Sequence, residues 1–387
     1  MTKKTIAIIA TAPVAVKFHL EAIVEYLKQN YTVIILTNLS NDQDNLINTL
    51  PRDVEYFNTE MERDIGILKD IKTLVLLFKF FKKKNIDIAF TITPKGGLIG
   101  NLASLMVGIP IRIHVYTGQV WKIREGFLRY VLMFFDKLIY VICTKVLIDS
   151  KSQRDFLIRN RIIKEKKSLV LGEGSLSGVD TDRFSPNLEH REIIREKHNV
   201  SSDDIVFLFV GRLNEDKGIP ELLESFSKLR DSIKNTSLWL MGPVEMDLVP
   251  LKQKIDEDTL KSILFLPYSP KPELYMAAAD IFCLPSLREG FGTVIIESAA
   301  CGIPAIGTNI YGLNDAIQDG KTGYLVEIGN SIDFVSVMIK LAEDQALRYK
   351  MGGMARKIAK QNYSQAFVVE RLASFLNNEI YQLSDKK

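Results

Sequence analysis

The sequence predicts an α/β chain built from two doubly wound parallel-sheet domains. Three observations carry the prediction. Short β-branched strands alternate with helical stretches, the same rhythm restarts after a polar interval, and a length of 387 residues exceeds what one hydrophobic core holds. The first half opens with TIAIIAT (5–11) and a helical stretch at Val14–Lys28, then TVIILTN (32–38), Val54–Phe57 and a helix at Ile65–Lys83. IDIAFTIT (86–93), a helix at Leu98–Val107, IRIHVY (111–116), a helix near Phe127–Cys143 and KVLIDS (145–150) continue it. The second half runs IVFLFVGR (205–212), a helix at Ile219–Leu229, SLWLMG (237–242), SILFLPY (262–268), DIFCLPS (280–286), a helix at Thr293–Ala300 and PAIGT (304–308). The strands read as apolar runs, as expected of a sheet covered on both faces.

Pro186 and the dense charge between Arg183 and Ser202 place the domain boundary there, giving domains at 1–185 and 186–365. Tyr363–Leu383 reads as a helix, and residues 366–387 are expected to return to the first domain. Two such domains would face a cleft, with ligands outside the carboxyl ends of the strands.

Hydrophobic residues at 47% and charged residues at 25% exclude collagen-like and disordered classes. Cys143, Cys283 and Cys301 stand singly, which supports neither a disulfide framework nor a zinc site and fits a reducing compartment. The amino terminus reads as a buried strand rather than a secretory leader, and the most apolar helix, Phe127–Ile142, is interrupted by Arg129, Asp136 and Lys137. Residues 1–180 hold 26 basic and 18 acidic side chains, the remainder 24 and 29. A basic first half fits an anionic partner such as a membrane surface, or merely a solvated basic surface. No nucleic-acid partner is expected, and oligomeric state has no signature.

Two loops could carry chemistry. Gly211 and Arg212 follow the strand IVFLFV, with Lys217 five residues on; Arg212 can fork to two phosphate oxygens while Lys217 adds a compact charge. The alternative is that Arg212 pairs with Glu215 or Asp216. Ser286–Thr293 leads from the strand DIFCLP into a helix containing Glu297. Gly290 and Gly292 permit close backbone approach, and the helix amino terminus at Thr293 offers N–H groups to phosphate or sugar oxygens. Glu289 and Glu297 can accept hydrogen bonds from hydroxyls; otherwise Glu289 is a cap and Glu297 a solvated helix residue. The strings Asp42/Asp44, Asp180/Asp182 and Asp256/Asp258 sit at no strand end suited to a metal, and the four histidines have no paired spacing.

From Gly211 to Gly329 the chain resembles the donor half of glycosyltransferase family 4, through GR…K, the E-G-F-G motif, the spacing from Glu289 to Glu297, ESAACGIPAIGT and DGKTGYLV. LGEGSLSGVDTDRFSP resembles the stretch leading into that family's second domain, so the likeness covers most of the chain. It implies the GT-B fold, transfer from a nucleotide sugar with retention, and no metal or other cofactor. It places Gly211, Arg212 and Lys217 at the donor diphosphate and Glu289 at the donor sugar. Gly290, Phe291, Gly292 and Thr293 would meet sugar and phosphate through their backbone, and Glu297 the ribose. Arg212, Lys217 and Glu289 are the residues expected to act in catalysis, without a covalent nucleophile.

TPKGGLIGNLASLMVGIPIRIHVYTGQVW (93–121) resembles the family subset that builds O-antigen, capsule or lipid-linked oligosaccharides. This implies a UDP-sugar donor, a lipid-diphosphate-linked acceptor and a cytoplasmic enzyme at the inner membrane face. Two departures appear: Thr117-Gly118 stands where many members have His-Gly, and Ala12-Pro13 where a Gly-Gly pair is common. Lys95, His114, Thr117 and Gly118 are the acceptor-side candidates, His114 alternatively being a packed strand residue and Lys95 a solvated loop lysine. Leu68–Lys84, apolar with a basic end, fits either an anionic membrane or the face of a sheet. An epimerase on the same fold and a nucleotide-sugar-binding scaffold subunit are the competing functions.

Overall fold

A computed structural model describes residues 3–40, 50–62, 64 and 66–385, with two units, Met1–Ser177 joined by Gln365–Lys387, and Gly178–Ser364. In the first, strands β1 (Thr5–Ile9), β2 (Thr32–Thr37), β3 (Glu55–Asn58), β4 (Ile88–Ile92), β5 (Ile111–Tyr116), β6 (Lys145–Ile148) and β7 (Ser168–Leu169) form a parallel sheet in the order β3-β2-β1-β4-β5-β6-β7. Chain order reverses between β1 and β4. Because both faces are covered, the central strands β1 and β4 are mainly apolar and almost wholly buried, whereas the edge strand β3 is not. The helix Pro13–Asn30 packs Val16, Leu20, Val24 and Leu27 into one face, together with Leu372, Phe375 and Leu376 of the terminal helix Gln365–Ser384. That terminal helix is also held by Tyr31 Oη donating to Asn377 Oδ1 at 2.9 Å. On the other face, helices Ile67–Lys83 and Pro94–Val107 bury Leu77, Phe81, Ile99 and Ala103.

The second unit repeats the plan. Strands β8 (Ile205–Val210), β9 (Thr236–Met241), β10 (Ile263–Leu266), β11 (Ile281–Leu284), β12 (Ala305–Thr308) and β13 (Gly323–Val326) are parallel in the order β10-β9-β8-β11-β12-β13, reversing between β8 and β11. This is the GT-B pair of Rossmann-like domains.

The polar interval expected to be the boundary is folded instead. Residues 188–197 form a helix of the second unit, whose Arg191 and Arg195 both bind Asp280, at 2.7 and 2.5 Å, just before β11. Arg195 also donates to the carbonyls of Ala278 and Ser201. The helix docks by buried guanidinium groups rather than an apolar stripe, so periodicity missed it, and the units divide after Ser177 rather than at residue 185. Among the described residues no helix is long and apolar enough to cross a membrane.

Candidate active site

The two candidate loops leave neighbouring strands, β8 and β11, on either side of the point where strand order reverses. That is where open α/β sheets bind ligands. After Gly211 and Arg212 the chain makes one 3-10 turn, Glu215–Lys217, capped by Asn214 Oδ1 accepting from the Lys217 N–H at 3.1 Å. Gly218 ends it at φ +70°, where a Cβ would lie 2.1 Å from the Pro285 carbonyl oxygen, so only glycine lets the two loops approach this closely. Leu287 N–H then donates to the Asp216 carbonyl at 2.9 Å, and Arg288 donates through Nε (3.1 Å) and Nη2 (2.9 Å) to Asp216 Oδ2.

Against this frame Lys217 Nζ is ion-paired with Glu289 Oε1, both side chains mostly buried, and Ser286 Oγ donates to the same carboxylate oxygen at 2.8 Å. The main-chain turn through Gly290 and Gly292 delivers the chain to the helix Thr293–Ala300, which has no side-chain cap. Phe291 is 1% exposed and packs its ring against Tyr363, so its side chain serves the core. Arg212 bonds neither Glu215 nor Asp216: its Nη1 lies 2.6 Å from Glu245 Oε2, in the loop after β9. Both partners are about 40% exposed, so this pair contributes little stability.

Glu297 is not a solvated helix residue. It is partly buried, and desolvation pushes its carboxyl up to about 7; Arg183 opposes that shift and Glu273 adds to it. Arg183 is paired with Glu273 at 2.8 Å. Reading the sequence missed Glu245, Asp216–Arg288 and this Arg183–Glu273 pair, because each joins loops that only the sheet brings together.

The acceptor-side candidates sit in the first unit and do not gather as one cluster. His114 is 2% exposed inside β5, its Nδ1 2.9 Å from Thr91 Oγ1. A Cβ on Gly97 would come within 2.3 Å of the ring, so the helix Pro94–Val107 closes over it. Burial lowers its pKa to about 3, and it is a neutral packing element rather than an acceptor contact. Lys95 is neither free nor solvated: its ammonium binds Asp70 at 2.7 Å and the Asp64 carbonyl. Thr117 and Gly118 follow β5 and remain partly exposed, Gly118 at φ +115°. Asp180 caps its own turn, accepting from Asp182 and Arg183 N–H groups, while Asp256 caps a helix and Asp258 binds Arg230. Asp42 and Asp44 lie outside the described residues.

Comparison with known proteins identifies the family. Residues 190–358 match the model of the family described as glycosyl transferases group 1. The Staphylococcus aureus capsular polysaccharide biosynthesis glycosyltransferase CapM is 32% identical over 335 residues, covering 84% of this chain and 86% of that protein. The UDP-Gal:α-D-GlcNAc-diphosphoundecaprenol α-1,3-galactosyltransferase of Escherichia coli is 24% identical, covering 78% of each. Among solved structures, Anabaena HepE in complex with UDP superposes with a TM-score of 0.79 at 16% identity, over 97% of this chain and all of that one.

Proposed function

Because the chain belongs to the group 1 glycosyl transferases, we propose that it is a retaining, metal-independent enzyme of family 4 that moves a sugar from a UDP-sugar to a polyprenyl-diphosphate-linked saccharide in bacterial surface polysaccharide synthesis. The observation that carries the reading is the convergence of Lys217, Arg212, Glu289 and an uncapped helix amino terminus on the reversal point between β8 and β11. As the glycosidic C–O bond of the donor breaks, negative charge grows on the departing diphosphate. Arg212 and Lys217 supply the countercharge that a metal provides elsewhere, and the N–H groups at Thr293 add to it. Neither cation is idle beforehand: the incoming diphosphate displaces Glu245 from Arg212 and shares Lys217 with Glu289. Glu289, freed to accept from sugar hydroxyls, orients the donor ring, and Glu297 accepts from the ribose. The leaving phosphate takes the acceptor's proton, so no covalent nucleophile is needed.

The lipid-linked acceptor and UDP are drawn from likeness to the E. coli galactosyltransferase, the surface-polysaccharide role from likeness to CapM, and the fold neighbour HepE was solved with UDP. The acceptor is assigned to the first unit, where the loop at Thr117–Gly118 ends β5. The helix Gly126–Ile142 leaves Phe127, Leu128, Tyr130 and Phe134 exposed, and Ile67–Lys83 leaves Ile67, Leu68 and Ile71 exposed, all in the basic half of the chain. These faces suit the anionic inner surface of the cytoplasmic membrane, on which the enzyme rests peripherally.

Nucleotide release from a panel of UDP- and GDP-sugars in EDTA, with and without lipid extract containing undecaprenyl-diphosphate saccharides, tests the whole reading. Release from one UDP-sugar only when lipid is present is expected. Isomer exchange without release would make the protein an epimerase, and tight UDP binding with no turnover a scaffold. Replacing Phe127 and Phe134 with serine should free the protein from anionic liposomes in sedimentation.

A further inference from the structure

Asp136 plays no part in the donor site, yet it is a buried residue whose carboxyl and main-chain carbonyl each accept one specific bond. It lies on the inner side of the helix Gly126–Ile142, 7% exposed, while Phe127, Tyr130 and Phe134 of that helix face outward. Its Oδ2 accepts from Trp121 Nε1 at 2.7 Å, and its main-chain carbonyl accepts from Tyr116 Oη at 2.6 Å. Tyr116 is the last residue of β5 and Trp121 sits in the 3-10 turn Val120–Ile123. One helix residue therefore holds both ends of the loop containing Thr117 and Gly118. Trp121 is 1% exposed, stacked on Phe156 at 5.1 Å with the Arg129 guanidinium 5.6 Å from its ring centroid, so it is a rigid anchor. Burying a carboxyl here is costly, and desolvation pushes it up to about 7. A leucine would satisfy the packing alone, whereas a carboxylate fixes where the indole points.

We propose that Asp136 is a positioning residue for the acceptor: through Trp121 and Tyr116 it ties the Thr117–Gly118 loop to the outward-facing aromatic helix, so that membrane contact and acceptor placement are set by one rigid piece. The inference rests on the assignment of the acceptor to the first unit and of that helix to the membrane.

The test has one arm that needs no substrate. The chain has two tryptophans, so labelling with 5-fluorotryptophan gives two 19F resonances, and Trp239→Phe assigns them. Vesicles of phosphatidylglycerol and phosphatidylethanolamine should shift the Trp121 resonance in the wild type and in Asp136→Asn, whose amide oxygen still accepts the indole proton. The shift should be at least halved in Asp136→Leu, which keeps only the main-chain bond from Tyr116 Oη. In the second arm, Asp136→Leu should raise the apparent KM for the lipid extract by roughly tenfold while the donor KM stays unchanged, and Asp136→Asn should stay near wild type. If Asp136→Leu fails to fold, Trp121→Phe removes the same bond from the other side and should give the same KM split. A vesicle shift undiminished in Asp136→Leu, no vesicle shift in the wild type, or donor and acceptor KM rising together overturns the proposal. Failure of the wild type to transfer to lipid from any donor overturns the functional reading and the acceptor role with it, and the vesicle arm still decides whether helix and loop are tied.

Discussion

The two sheets reverse at equivalent places, between β1 and β4 and between β8 and β11, yet the chemistry beside the two reversals differs. At β8/β11 Arg212, Asp216, Lys217, Arg288 and Glu289, in two interlocked loops, all make salt bridges. At β1/β4 the corresponding positions are hydroxyls: Thr11 and Thr93 bond each other at 2.7 Å, over a neutral His114, and Lys95 is turned away to Asp70. One topology thus carries a network of salt bridges beside one reversal and a pair of bonded hydroxyls beside the other. The difference lies in loop side chains, because the strands beneath both are interchangeable apolar runs.

The largest effect should come from breaking the charged side of this contrast. Lys217→Ala should lower turnover by roughly two to four orders of magnitude with the fold intact by circular dichroism, and near-normal turnover would remove the diphosphate assignment. Next, Arg288→Leu cuts the tie to Asp216 that aligns the two loops; kcat/KM should fall by roughly tenfold, the scale of a lost charge-assisted hydrogen bond, with a smaller change in melting temperature.

Glu297→Gln should weaken UDP-sugar binding by a few fold and also change its pH profile. A UDP-sugar has no ionisation near neutrality, so wild-type affinity should rise with pH through about 7 as the carboxylate forms, and calorimetry should find no such inflection in the variant.

The smallest effect separates the units by the sign of their pH-dependent stability. His114 is held near 3 when folded but takes a proton near 6.5 when unfolded, so its contribution is lost as pH falls from 6.5 towards 3. Glu297 is the reverse: its native pKa of about 7 exceeds the ordinary 4.5, so its contribution is complete below 4.5 and lost as pH rises through 7. Thermal melts between pH 4 and 8 should therefore flatten on the acid side in His114→Gln and on the neutral side in Glu297→Gln. Parallel curves for both variants and the wild type would contradict the burial of either group.

Much of the candidate site was readable because its parts are local. Gly211 to Lys217 and Ser286 to Glu297 are single loops after single strands, and glycine at close approaches has few substitutes. The helix at 188–197 was not readable, since its docking depends on arginines reaching Asp280 over eighty residues away. For a related reason only folding chose the packed-strand reading of His114 and gave Lys95 its partner Asp70: a histidine in a strand and a lysine after one look alike in sequence whether buried, paired or free.

Alternation of apolar runs and helices was enough to specify two doubly wound sheets, since the hydrophobic effect acts on patterns that any chain displays along its length. Which ions meet was settled by folding. Arg212 found Glu245 and Lys217 found Glu289 across gaps of 33 and 72 residues, and Asp136 found the indole N–H of Trp121 across 15, because ion pairing and hydrogen bonding depend on ångström distances that sequence order does not encode.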